Sequence, residues 1–166
     1  MIPLLIHSTA KNSGKTLLAL GIGLKFRADG YTLGYLKPVG WIPEQNHDEI
    51  ADRDAIFMKK ALDLKEPLEE ICPVVMTQDM IQSSYEGQGQ DVAKKILDTF
   101  RSVHQNKDIL IVEGAGSLFE GLSSAREKLN WRWLWMRRSS SSIFIGMGLP
   151  RSILSWMSRS WQGIGS

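Results

Sequence analysis

The residues best suited to chemistry stand within the first sixteen. Gly14-Lys15-Thr16 closes a small, polar loop that follows the apolar run Leu4-Leu5-Ile6 and opens directly into a leucine-rich stretch. Strand, loop and helix N-terminus in that order make a phosphate-binding P-loop, in which backbone N–H groups and the positive helix end cradle phosphate oxygens. Thr9, Ala10, Lys11, Asn12, Ser13 and Gly14 would then surround a nucleoside triphosphate. Lys15 would reach its terminal phosphates, and the Thr16 hydroxyl would hold magnesium. The usual pattern has glycine where Thr9 stands, but the four residues between Thr9 and Gly14 preserve the spacing. The bland alternative is a polar turn before a surface helix. The apolar segments on both sides favour the phosphate reading.

Three further features add to this loop. Lys37, in Tyr35-Leu36-Lys37-Pro38-Val39-Gly40, ends a predicted strand, where open α/β sheets bind ligands. Its ammonium is suited to a carboxylate or phosphate, although an exposed strand-end lysine reads the same way. In Asp52-Arg53-Asp54, Asp54 offers magnesium a carboxylate, whereas acids in a first helical turn also simply complement the helix dipole. Ile111-Val112-Glu113-Gly114-Ala115-Gly116 places an acid at the end of a buried apolar run, and Gly114 lets backbone approach phosphate. Thr16, Asp54 and Glu113 together form a magnesium shell beside Lys15. His7, His47 and His104 lack ligand spacing and read as satisfied or surface histidines.

These residues need a scaffold that alternates strand and helix, and the first half of the chain supplies one. Leu4-Leu5-Ile6 predicts a short buried strand. Lys15 to Ala28 predicts a helix in which Leu17, Leu20 and Leu24 recur at helical spacing, stopped at Asp29-Gly30. Tyr31 to Val39 predicts a second strand and Asp48 to Leu62 a helix with Ala51, Ala55, Met58 and Leu62 on one face. A loop with Pro67 and Pro73 follows. Val92, Ile96, Phe100 and Val103 mark another amphipathic helix, and Asp108 to Glu113 a third strand. The expectation is an α/β, P-loop NTPase-like fold, a mainly parallel sheet with flanking helices, incomplete at its C-terminal side.

A chain of 166 residues, 43% apolar and 23% charged, suits one globular domain. The single cysteine, Cys72, excludes an internal disulfide and reads as a small buried hydrophobe. No run reaches membrane-spanning length and no signal peptide is visible, so a cytoplasmic location follows by default. The net charge of +2 hides an asymmetry. Residues 128–166 hold Lys128 and five arginines without any Asp or Glu, together with five of the six tryptophans and the run Ser139 to Ser142. Two segments are therefore expected: a nucleotide-binding domain over 1–127 and an atypical basic tail over 128–166, read as out-of-frame, otherwise replaced or disordered. A tail lying on anionic membrane or nucleic acid is the rival, disfavoured because neither an amphipathic repeat nor ordered Arg–aromatic spacing is present.

In this order STAKNSGKT, GYLKPVG, DRDA and VEGAG resemble the dethiobiotin synthetase family of P-loop proteins, over about residues 2 to 126. That family also carries threonine at the Thr9 position. GLKFRADGYTLGYLKPVGW and PLEEICPVVMTQD are similar to its offshoot, the N-terminal domain of phosphotransacetylase-like proteins, where a DRTGG-type domain often follows. The resemblance implies that Lys15 and Thr16 handle phosphate and magnesium, that Asp54 and Glu113 ligate magnesium, and that Lys37 engages a carbamate. It implies ATP-dependent closure of a cyclic urea through a carbamoyl-phosphate intermediate, and a homodimer. The family's substrate-contacting stretch is not seen in Cys72 to Gln90. Three readings stay open: phosphoryl transfer from Mg-ATP to a small carboxylate or carbamate, a non-catalytic nucleotide-sensing module of an acetyl- or phosphate-transfer protein, and an inactive truncated copy.

Overall fold

The structure, a computed structural model, describes residues 2–8, 12–85, 91–114 and 143–147. Its centre is a four-stranded, all-parallel sheet in the order β2 (Leu33–Leu36), β7 (Ile109–Glu113), β1 (Ile2–Ser8), β8 (Ile143–Met147). Between them in sequence come α1 (Lys15–Ala28), then β3 (Val39–Gly40), β4 (Pro43–Asn46), β5 (Glu49–Asp52), α2 (Arg53–Ala61), α3 (Leu68–Ile71), β6 (Val74–Val75), α4 (Gln78–Tyr85) and α5 (Val92–Val103). β3 pairs with β6 in parallel, and β4 with β5 as an antiparallel hairpin. This is the mixed α/β, mainly parallel architecture expected.

Strand alternation sorts the core into two layers. Leu4 and Ile6, Leu33 and Tyr35, Ile109 and Ile111 point to one face and pack with Ala19, Ala55, Met58, Leu62 and Ile71 from the α1, α2 and α3 side. Leu5, Leu36, Leu110 and Val112 point to the other, against Val103 and Phe100 of α5. Burial on both faces is why all of β2 and β7 reads as one apolar run. Continuing the alternation, Ser8, Glu113 and Lys37 fall at the carboxyl ends of three adjacent strands on the α1 face. The strand after β1 lies to one side, at β2, and the strand after β7 to the other, at β8. The crevice where such connections diverge is the ligand site of open α/β sheets.

Several expectations change. α1 runs over the predicted residues and ends before Gly30, which takes φ +87°. Its buried stripe, however, is Lys15, Ala19 and Gly23, whereas Leu17 and Leu24 face outward. Small residues let the helix lie close to the sheet, and partly buried Leu18, Leu20, Ile22 and Phe26 flank that contact. The helix expected from Asp48 begins only at Arg53, because Glu49–Asp52 pairs with Pro43–Asn46 across a turn in which His47 is left-handed. Ala51, Ala55, Met58 and Leu62 are nonetheless all buried. The Tyr31–Val39 strand is shorter than predicted. It leaves the sheet after Leu36, where the Lys37 N–H donates instead to the Ile71 carbonyl, and Pro38 has no N–H to give.

The loop expected around Pro67 and Pro73 contains α3 and β6, with α4 beyond it. Burial pushes the Cys72 thiol up to about 12, which fits its expected role as an inert core side chain. Within the segment expected as an atypical tail, Ile143–Met147 forms β8 on the β1 edge, in the register Leu4↔Ile143 to Ser8↔Met147. The remainder of 128–166 lies outside the described residues. Among the described residues no helix is long and apolar enough to cross a membrane.

Candidate functional site

The loop after β1 reaches α1 through two left-handed residues, Asn12 at φ +52° and Gly14 at φ +84°. Gly14 is the N-cap and carries no side chain that could cap the helix, so the first N–H groups of α1 have no side-chain acceptor from it. No acid stands in the first turn. The helix end therefore keeps its positive character. Ser13 Oγ is buried without a hydrogen-bond partner among the described residues. Lys15 is buried, and its ammonium donates to Ser8 Oγ at 3.1 Å, across the end of β1. Thr9, Ala10 and Lys11, the other residues assigned to the loop, lie outside the described residues.

At the second residue of the helix, the Thr16 hydroxyl donates to Glu113 Oε1 at 2.7 Å. The other carboxylate oxygen, Oε2, accepts from the Tyr35 hydroxyl at 2.8 Å. Glu113 is 2% exposed. Burial pushes its carboxyl above the usual range, against the two hydrogen bonds that pull it down. Burial and then the neighbouring Glu113 charge hold the Tyr35 phenol well above its ordinary value, so this group donates at any physiological pH.

Lys37 lies beside this group, clamped between Asp52 Oδ1 at 2.8 Å and Asp54 Oδ2 at 2.6 Å. Burial alone would lower its pKa. The hydrogen bonds it donates to both carboxylates outweigh that and leave it raised, so Lys37 is a cation in the folded protein. Asp52 is fully buried and also caps α2, accepting from the N–H groups of Asp54 and Ala55, while Ile42 N–H reaches its Oδ2. Gly40 makes room for it: a Cβ there would fall 2.4 Å from Asp52 Cβ. Asp54 thus holds Lys37, while Thr16 and Glu113 hold each other. Of the three residues expected around magnesium, Thr16 and Glu113 are hydrogen-bonded to each other, and Asp54 is paired with Lys37 instead.

A family model described as AAA domain (AAA_26) matches residues 3–130. The chain belongs to the AAA domain family. Among curated proteins, this AAA domain is similar to the ATP-dependent dethiobiotin synthetase of Caldicellulosiruptor saccharolyticus, with 24% identity over 84% of the chain and 58% of the relative. It is likewise similar to the ATP-dependent dethiobiotin synthetases of Ruthia magnifica subsp. Calyptogena magnifica, at 27%, and Aeromonas salmonicida, at 26%. Each of those two matches covers 76% of the chain and 57% of the relative. The chain therefore spans little more than half the length of these relatives.

Within the AAA domain, Gly114 has a packing reason as well as the expected phosphate-side one. A Cβ on it would fall 2.4 Å from the His7 ring, which is buried at the end of β1. Gly114→Ala should lower stability by about 1–3 kcal/mol, since ring and strand cannot both keep their places. Urea unfolding of the variant with an unchanged midpoint would show that His7 yields freely.

Two residues went unassigned in the sequence reading. Asp52 stood in the quoted Asp-Arg-Asp motif, but the metal role went to Asp54. An Asp directly before a helix is an N-cap signal, hidden here because the apolar spacing predicts a helix that starts at Asp48. Tyr35 stood two residues before Lys37, so strand period alone put them on one face. Its bond to Glu113 required the β2–β7 register, Tyr35↔Ile111, which no local pattern encodes.

Proposed function

We propose that this domain binds ATP with magnesium at the carboxyl ends of β1, β7 and β2 and transfers a phosphoryl group to a small carboxylate or carbamate. The observation that carries the reading is the Thr16–Glu113 hydrogen bond beside buried Lys15, at the uncapped start of α1. The Ser13 hydroxyl supports it, as a buried donor in the loop without a partner among the described residues. The similarity to ATP-dependent dethiobiotin synthetases points the same way.

Thr16, Glu113 and Asp54 offer only oxygen donors, the set magnesium prefers. Among the described residues no three His, Cys, Asp or Glu side chains cluster as a metal site, so phosphate and water would complete the shell. Bound magnesium would neutralise phosphate charge. Lys15 would swing from Ser8 to the terminal phosphates and stabilise the transferred group. Lys37 would present its ammonium to the acceptor carboxylate, and Asp54 would be the carboxylate available to hold magnesium. Lys37→Ala is expected to cut turnover by about 10²-fold or more while leaving ATP affinity nearly intact. The change also costs stability, because buried Asp52 loses its counter-charge and keeps only three backbone donors, so both measurements need protein shown to be folded. Steady-state ATP hydrolysis and calorimetry on the same preparation check both halves.

A second reading rests on the same clamp. An ammonium held by two carboxylates is already neutralised, as suits a module that senses nucleotide for a separate acetyl- or phosphate-transfer domain and turns nothing over. Unchanged low-level hydrolysis in Lys37→Ala would favour it.

A further inference from the structure

We propose that Tyr35 is a positioning residue for the magnesium ligands, holding Glu113 Oε2 so that Oε1 stays on the Thr16 hydroxyl. This rests on the Mg-ATP reading above and adds a residue to it. Thr16 Oγ1 has one proton and two lone pairs. When the proton goes to Glu113 Oε1, at 2.7 Å, the lone pairs are turned away from the carboxylate and are free for a cation. That arrangement depends on the carboxylate plane being fixed. A glutamate has three side-chain torsions, and its last is broad and roughly two-fold, so burial alone does not set the plane.

Tyr35 sets it. Its register partner on β7 is Ile111, and Glu113 is the next residue on that face, so the ring reaches diagonally to Oε2 at 2.8 Å. The tyrosine is itself 1% exposed and wedged in the core between β2 and the α1–α2 layer, leaving its hydroxyl little latitude. It is thus an outer partner that orients a ligating carboxylate, a class whose loss commonly costs 10- to 100-fold in metal affinity.

Tyr35→Phe removes one oxygen and keeps the ring. Calorimetry on the full chain would first measure ATP binding in excess chelator, then magnesium binding to the ATP-loaded protein. The variant should keep its metal-free ATP affinity and lose about tenfold in magnesium affinity. A double-mutant cycle separates positioning from general loosening of the core. With Glu113→Gln already present, adding Tyr35→Phe should change magnesium affinity no further. That comparison also serves if Tyr35→Phe alone folds poorly, because no buried carboxylate is then left a donor short. Wild-type magnesium affinity in Tyr35→Phe, or an equal loss in the Glu113→Gln background, overturns the inference and leaves the nucleotide reading standing. Wild-type protein that takes up neither ATP nor magnesium overturns both.

Discussion

Lys15→Ala should bind ATP about 100-fold more weakly than the wild type, by calorimetry, in either functional reading. The size follows from where the side chain lies. Lys15 is the first residue of α1 and its ammonium rests on Ser8, at the end of the neighbouring strand, inside the crevice. Only 8% of the residue is exposed, so the ammonium meets phosphate in a site largely stripped of water. Each hydrogen bond from a charged donor is worth about 1.5–3 kcal/mol, and one or two such bonds span the expected loss. Lys15→Met should lose as much affinity, because it keeps the aliphatic stem and removes only the charge. Unaltered ATP binding in both variants would remove the P-loop reading altogether.

Asp52→Ala should cost the fold about 3 kcal/mol. Two effects combine. The start of α2 loses its cap, leaving the N–H groups of Asp54 and Ala55 without an acceptor, and Ile42 N–H loses its partner as well. A cap alone is worth about 1 kcal/mol. Buried Lys37 then keeps a single counter-charge, Asp54, whose side chain is 29% exposed. Removing one partner of a buried ion pair typically costs about 3–5 kcal/mol, moderated here by the carboxylate that remains. Asp52→Asn should lose less, since asparagine caps as well as aspartate and only the charge is missing. Urea denaturation of the pair therefore separates cap from charge. Equal losses would mean that the cap contributes nothing, and a wild-type midpoint in Asp52→Asn would mean that Lys37 does not need the Asp52 charge.

Elements that are buried on both sides were legible in the sequence. Leu4-Leu5-Ile6 and Ile109 to Val112 are apolar at every position because each neighbouring residue meets a different core layer, and α5 shows its single buried face at Ile96 and Val103. The loop ending in Lys15 and Thr16 was legible because its chemistry is local. What depended on pairing was not. The β4–β5 hairpin is mostly polar and exposed, with no alternation to mark it, and its turn is made by His47 rather than by glycine. Leucine periodicity in α1 pointed to the wrong stripe because close packing on a sheet selects for small side chains such as Ala19 and Gly23. Glu113 was found from its place at a strand end. Its hold on both Thr16 and Tyr35 emerged only from the register of strands distant in the chain.

That distance has its own consequence. Ile2 pairs with Ile109, and the hydroxyl and carboxylate that meet at 2.7 Å are 97 residues apart in the chain. Loop-closure entropy must be met before such a contact can form, so the site is completed among the last events of chain collapse. No fragment ending short of Glu113 contains it. Occupancy of this crevice is therefore a property of the whole native topology, and a ligand held there draws the folding equilibrium toward that topology in proportion to its own concentration.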